Sequence, residues 1–221
     1  MIDNILRSKR IILSLLKDNQ TISVFMAHPD DEALLCYGSL KKFQLGGAKI
    51  HITFLTNGGQ ARDIVTPNVA KSLSANYKIL DFPVSNLSMN KNLVTSIEKQ
   101  IDMIRPSMLI THTNSLLEHQ DHQIVSKAST LAGFRSKYVN TILHCEPVLR
   151  NTGFSPNLFI DIEKYISDKL QAITLYRNVL DRWYMHPEIV TTRARSWALQ
   201  VQNDSSSLGY CEAFEIHLLR Y

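Results

Sequence analysis

The stretch "SVFMAHPDDEALLCYGSL", residues 23–40, runs an apolar segment straight into a histidine, a proline and three consecutive acids before an apolar–polar pattern resumes. From Thr21 to His28 the chain reads as a buried strand, and from Glu32 to Leu45 as a helix. A strand that hands over to a helix through such a turn is the opening unit of a parallel α/β domain, in which chemistry collects at the carboxyl ends of strands. Three adjacent carboxylates repel one another, so the turn calls for a positive partner.

The same alternation continues outward from this turn. "AKIHITFLT" (48–56) predicts a second strand closed by the turn signal "NGG", and "YKILDFP" (77–83), "SMLITHT" (107–113) and "VNTILHCEP" (139–147) predict three more. Helices are expected over "NKNLVTSIEKQIDMIR" (90–105), ended by Pro106, and "DHQIVSKASTLAGF" (121–134), with Gly133 near its stop. Residues 60–76 read as a polar loop with a short helix from Pro67. An amphipathic helix is expected over 3–18. The last third predicts a strand "NLFIDI" (157–162), helices near 163–175 and 188–202, and a final strand "CEAFEIHLL" (211–219). The expected fold is one three-layer α/β/α Rossmann-like domain over residues 1–221 with a mostly parallel central sheet.

A chain of 221 residues, 44% apolar and 20% charged, can bury a sizeable core and is not of disordered composition. Its net charge of +4 comes from scattered Lys and Arg, which argues against a nucleic-acid track and is compatible with an anionic substrate. Cys36, Cys145 and Cys211 lie far apart with no CxxC pair, as expected for a reducing compartment. The N-terminus lacks the apolar core of a signal peptide, and no apolar run reaches the ~18–20 residues of a membrane span, so a cytoplasmic location is expected. A homo-oligomer is left open.

Two motifs carry chemistry: His28-Pro29-Asp30-Asp31-Glu32, and His119-Gln120-Asp121-His122 within "LLEHQDHQIV". Imidazole and carboxylate are donors that zinc accepts, and a catalytic zinc keeps three protein ligands and one open position. His28 and Asp31 are three residues apart and share one side of a tight turn, which leaves Asp30 beside a metal instead of on it. His119 and His122 have the same spacing. A purely structural turn, with acids complementing a helix dipole, accounts for one acid and leaves the histidine unexplained. "HQDH" alone would serve equally as a solvated helix start, but the two motifs together point to a metal centre.

"AHPDDE" after an apolar strand, followed by "HxDH" before a helix, resembles the LmbE-like, or PIG-L, family of zinc-dependent N-deacetylases. The likeness extends to "ITFLTNGG" (52–59), "LDFP" (80–83) and the "EAF" of residues 212–214. It departs in "ARDIVTPNVAKSLSANY", which keeps a trace of the family's Arg-x-x-Glu helix, and in Val84-Ser85-Asn86, where an Asp is expected after "FP". The resemblance implies a Rossmann-like hydrolase that removes acetyl from an N-acetylglucosamine-type small-molecule substrate. It implies Zn²⁺, or another divalent transition metal, on His28, Asp31 and His122. Asp30 would be the base, His119 as an imidazolium would stabilise the oxyanion, and Asp121 would set the tautomer or charge of His119.

Alternatives stay open at this level. His119 could join His28, Asp31 and His122 in a closed structural site, the bond cut could be another amide, or the fold could bind without turnover. Arg62 is a candidate clamp for a sugar hydroxyl or phosphate, or a solvated loop residue. Trp183, Tyr184 and His186 could stack on a sugar or pack in a core. His112 and His144 end strands and could line a pocket, His51 and His217 read as packing, and Glu32 caps or braces its helix.

Overall fold

The computed structural model describes residues 19–59, 61–115, 118–149, 153–201 and 209–220. The helix expected over 3–18 lies outside the described residues. Seven strands form one sheet: β1 (Thr21–Met26), β2 (Lys49–Phe54), β3 (Asn76–Ile79), β4 (Met108–His112), β5 (Thr141–Cys145), β6 (Leu158–Asp161) and β7 (Cys211–Leu219). Their order is β3-β2-β1-β4-β5-β7-β6. β1 pairs in parallel with β2, Val24 opposite Ile52, and with β4, Val24 opposite Ile110. β5 continues the parallel set, whereas β7 runs antiparallel to both β5 and β6. The chain leaves β1 on one side toward β2 and β3, then returns to its other side as β4. That reversal makes the carboxyl ends of β1 and β4 the switch point of the sheet, where open α/β folds place their ligands.

The helices are α1 (Asp31–Leu35), α2 (Tyr37–Leu45), α3 (Arg62–Ser72), α4 (Lys91–Ile104), α5 (Gln120–Arg135), α6 (Ile166–Leu180) and α7 (Pro187–Val201). Short 3-10 turns cover Glu163–Tyr165 and Trp183–Met185. Successive side chains of a strand point to opposite faces. Accordingly Ile22, Val24 and Met26 join one core with Leu40, Ile173 and Tyr176, while Phe25 and Ala27 join a second with Leu93, Ile97, Val125 and Ala128. α4 shows how the second core is made: Leu93, Val94, Ile97 and Ile101 recur at helical spacing and are buried, and the Asn90 side chain caps the helix by accepting the Leu93 N–H at 3.0 Å. Both faces of the central strands are therefore covered, which explains their unbroken apolar runs. No helix among the described residues is long and apolar enough to cross a membrane.

Two elements differ from the sequence-based expectation. The single helix expected from Glu32 to Leu45 breaks at Cys36, whose φ is −147°. The cause lies far along the chain. Gly38 and Ser39 donate their backbone N–H groups to the two Glu212 carboxylate oxygens at 3.0 and 2.7 Å, so a buried acid from β7 caps a fresh helix start. Gly38 is needed there because a Cβ would lie 2.8 Å from the Ile162 side chain. The loop expected over 60–76 is instead mostly α3, with Pro67 inside it. Pro67 has no N–H for the helix ladder, but burial of Val65 and Val69 in the first core outweighs that loss.

Lys169 completes the Glu212 cap. Its ammonium donates to Glu212 Oε1 at 2.5 Å and to the Leu34 carbonyl at 2.8 Å, fully enclosed by protein. Replacing Lys169 with Met leaves the Glu212 charge buried without its cation, so urea denaturation should show a loss of about 3–5 kcal/mol.

Candidate active site

The site begins where β1 ends. Ala27 donates its N–H to Nε2 of His112, the last residue of β4, at 3.0 Å, which ties the ends of the two central strands together. The chain then turns sharply, and Asp30 takes φ 124° and ψ −28°, a region that costs a non-glycine residue about 1–3 kcal/mol. Three hydrogen bonds hold this turn: Asp30 N–H to Glu32 Oε2 at 3.0 Å, Asp31 N–H to the His28 carbonyl at 3.3 Å, and Leu34 N–H to the Asp30 carbonyl at 3.1 Å. The His28 N–H, in turn, fixes Asp31 by donating to its Oδ2 at 2.8 Å.

The second motif approaches from the start of α5. His122 Nε2 lies 3.2 Å from Asp31 Oδ1, and His28 Nδ1 lies 3.5 Å from Asp31 Oδ2. Each ring is held from behind by a second carboxylate: His28 Nε2 meets Asp121 Oδ2 at 3.1 Å, and His122 Nδ1 meets Glu118 Oε2 at 2.6 Å. Asp121 is itself anchored by N–H groups of Ser85 at 2.7 Å and Leu87 at 3.3 Å. Thus each imidazole has one nitrogen committed to a carboxylate and the other turned toward Asp31. That is the arrangement in which histidines ligate metals, with the outer carboxylate fixing ring orientation and raising ligand basicity.

His28, Asp31 and His122 offer ligating atoms that all lie within 4.8 Å of one another. Two further such groups, His28–His119–Asp121 and His112–Glu118–His122, overlap it. Among the described residues, none of these groups contains His119 together with Asp31 and His122. An imidazole–carboxylate–imidazole set suits a divalent ion of borderline softness, and it leaves room for a fourth position.

The three consecutive acids coexist because their environments separate their titrations. Burial is the largest influence and would raise Asp31, but the His122 and His112 charges and the hydrogen bonds from both rings together outweigh it and hold the carboxyl well below the usual range. Burial, then the neighbouring Asp31 charge, pushes Asp30 up to about 7 against the pull of Arg62, whose guanidinium lies 3.6 Å away. Burial pushes Glu32 up to about 8 even though it accepts the Asp30 N–H and, at 2.9 Å, the Tyr176 hydroxyl. Burial opposes charge on His28 and His122, yet the carboxylates around them outweigh it and raise the rings to about 9 and about 10. Two protonated rings here carry the charge that a dication would replace, and metal binding displaces such protons.

A cavity of about 620 Å³ opens over this centre, lined by His28, Asp30, Asp31, Arg62, His119 and His122 among others. Six of the seven residues singled out from the sequence thus face one space, and the seventh, Asp121, is enclosed behind His28. The expected side-chain pair between Asp121 and His119 is not formed. Asp121 turns its carboxylate to His28 and gives His119 only its backbone N–H, at 3.2 Å on Nδ1. This leaves the proton of a neutral His119 on Nε2. Burial, followed by the positive His122 and His28 rings, lowers the His119 pKa.

His144 does not reach the cavity. It accepts or donates a hydrogen bond with Thr130 at 2.9 Å and stacks on His217, the ring centroids 4.4 Å apart. Tyr184 lines the cavity, whereas Trp183 is 65% exposed beside it. Glu118 and the His112 contact went unread in the sequence, although Glu118 stands four residues before His122. That spacing alone was the available signal.

Comparison with known proteins places this geometry. Residues 23–132, which include both motifs, match the family model described as PIG-L: GlcNAc-PI de-N-acetylase. No curated protein matches the sequence. The fold is similar to that of 4-carboxy-2-hydroxymuconate hydratase from Pseudomonas putida, with a TM-score of 0.79 and 16% identity over 91% of this chain and 98% of that one. A conserved protein from Thermus thermophilus gives a TM-score of 0.77 and 20% identity over 91% and 96%. N,N'-diacetylchitobiose deacetylase from Pyrococcus horikoshii gives 0.78 and 16% identity over 93% and 86%.

Glu118→Gln keeps the shape of the side chain and removes the charge behind His122. Its affinity for a divalent transition metal, measured by competition of Zn²⁺ or Co²⁺ with a chelating dye, should fall about 10–100-fold while far-ultraviolet circular dichroism is unchanged.

Proposed function

We propose that this chain, which carries a PIG-L (LmbE-like) family domain over residues 23–132, is a metal-dependent hydrolase that removes the N-acetyl group from an N-acetylglucosamine-type amino sugar in a conjugate or biosynthetic intermediate. One observation carries the reading. Asp30, raised to about 7, stands on a strained turn directly beside a His28–Asp31–His122 set whose rings are oriented by outer carboxylates. A protein that only bound its ligand would gain nothing from a base held at such a backbone position.

Zn²⁺ on His28, Asp31 and His122, or another divalent transition ion suited to the same donors, supplies when bound a polarised amide carbonyl and a water of lowered pKa. Asp30 would accept the proton of the attacking water and return it to the amide nitrogen as the C–N bond breaks. One carboxylate beside the reacting amide can do both. Arg62, 3.6 Å from Asp30, favours the ionised carboxylate before the attack and is placed to meet a sugar hydroxyl. His119 directs an Nε2–H donor at the oxygen where negative charge develops, its tautomer set by the Asp121 N–H on Nδ1. Asp121 holds His28 in register, and Glu118 does the same for His122.

The test is release of acetate and free amine from N-acetylglucosamine conjugates, with and without a chelator. Activity should vanish with the metal and return when it is restored. Asp30→Asn should lower kcat about 10²–10⁴-fold with metal content retained. Metal-loaded protein that releases no acetate from any acetamido sugar would remove the reading.

A further inference from the structure

The floor of the cavity is charged, and apart from the exposed Arg182 its rim is largely apolar. Val84 and Leu149 line the space and are 38% and 50% exposed, Val148 lies beside Leu149, and Trp183 stands on the edge of Tyr184 with ring centroids 5.8 Å apart. One exposed apolar side chain is ordinary, whereas several around one concave mouth indicate something that covers them.

Polar fastenings hold both of the walls that carry these side chains. Next to Val84, Ser85 takes a left-handed φ of 56° so that its N–H reaches Asp121 at 2.7 Å, and its carbonyl accepts from the Gln120 side chain. On the other wall, Arg193 of α7 donates to the Pro147 carbonyl at 2.6 Å and also to the Val148 carbonyl. Arg193 is itself set by Glu146 at 3.0 Å, which accepts the Trp197 indole N–H at 2.7 Å. Loops pinned in this way cannot tuck their apolar tips into the core. A volume of about 620 Å³ is within the ~300–1,000 Å³ range of small-molecule pockets.

We propose that Val84, Val148, Leu149 and Trp183 form a subsite for an apolar alkyl or aryl aglycone, so that the substrate is an amino-sugar conjugate with a polar reacting end and a hydrophobic remainder. The inference rests on the deacetylase reading for the sugar end, and on the rim alone for the aglycone. Every methylene covered by the rim adds to binding in proportion to the area removed from water, without touching the chemistry below.

The probes are methyl and hexyl N-acetyl-β-D-glucosaminide. Calorimetry on metal-loaded Asp30→Asn reads binding without turnover, and the hexyl glycoside should bind about tenfold tighter. Adding Val84→Ser and Leu149→Ser should bring the hexyl-to-methyl ratio to about one. Equal affinities before those substitutions, no binding of either glycoside, or a ratio that survives both substitutions would each overturn the subsite. Acetate release from the same two glycosides by the unsubstituted protein is scored separately. Its absence alongside a hexyl preference counts against the deacetylase reading and not against the apolar rim.

Discussion

The rest of the site depends on one buried carboxylate. Asp31 is the point at which a segment from the end of β1 and a segment from the start of α5 meet, through His28 on one side and His122 on the other. Neither ring would stay charged there alone, because burial opposes its charge, and neither would the acid. Together they form a compensated cluster, extended outward by Asp121 and Glu118. The parallel pairing of β1 with β4 makes the meeting possible, since it sets the ends of two strands from distant parts of the chain side by side.

The local backbone around Asp31 is as constrained as its charges. Asp30 is held at a positive φ, Glu32 receives its N–H, and the far end of Glu32 is tied to Tyr176 of α6. A short helix of five buried residues follows and stops at Cys36, where Glu212 and Lys169 impose a new helix start. The acids near the site therefore divide by role. Asp31 balances positive rings, Asp30 faces the cavity with Arg62, and Glu32 and Glu212 brace helices within the protein. That division resolves the repulsion implied by three consecutive acids, since burial drives Glu32 toward its neutral form while Asp31 stays ionised.

Much of this was legible in the sequence. Strand periodicity, Pro106 and the apolar run before His28 yield the alternating elements, because those signals arise from local geometry and burial. That the two histidine–acid motifs belong to one site could be read because histidine and acid recur at short spacing in both, and the structure brings them together. What was not legible depends on contacts between distant residues. The break at Cys36 needs Glu212, and α3 survives Pro67 only through the core beneath it. The partner of Asp121 was misassigned for the same reason: His119 is its neighbour in sequence, but the carboxylate turns toward His28, ninety-three positions away. His144 reads in the sequence as a strand end like His112, but β5 ends at Cys145, and His144 pairs in register with Thr111, so it faces the opposite side of the sheet from His112 and only His112 joins the site.

The same logic separates what the fold can and cannot decide about substrate. A sheet of this order supplies a switch point and can serve unrelated chemistries, so activity has to be argued from the groups placed there. The charged floor is built by residues whose positions follow from the two motifs, which ties it closely to the type of bond attacked. The rim is built differently: Val84 and Leu149 sit on loops whose course is set by Asp121, Gln120 and Arg193 through backbone contacts that ignore side-chain identity at positions 84 and 149. Such positions can vary without disturbing the histidine–carboxylate cluster. The features that select the reaction and those that select the rest of the molecule are thus physically separable within one cavity, and Asp121, which bonds both His28 and the Val84 loop, is the residue that joins them.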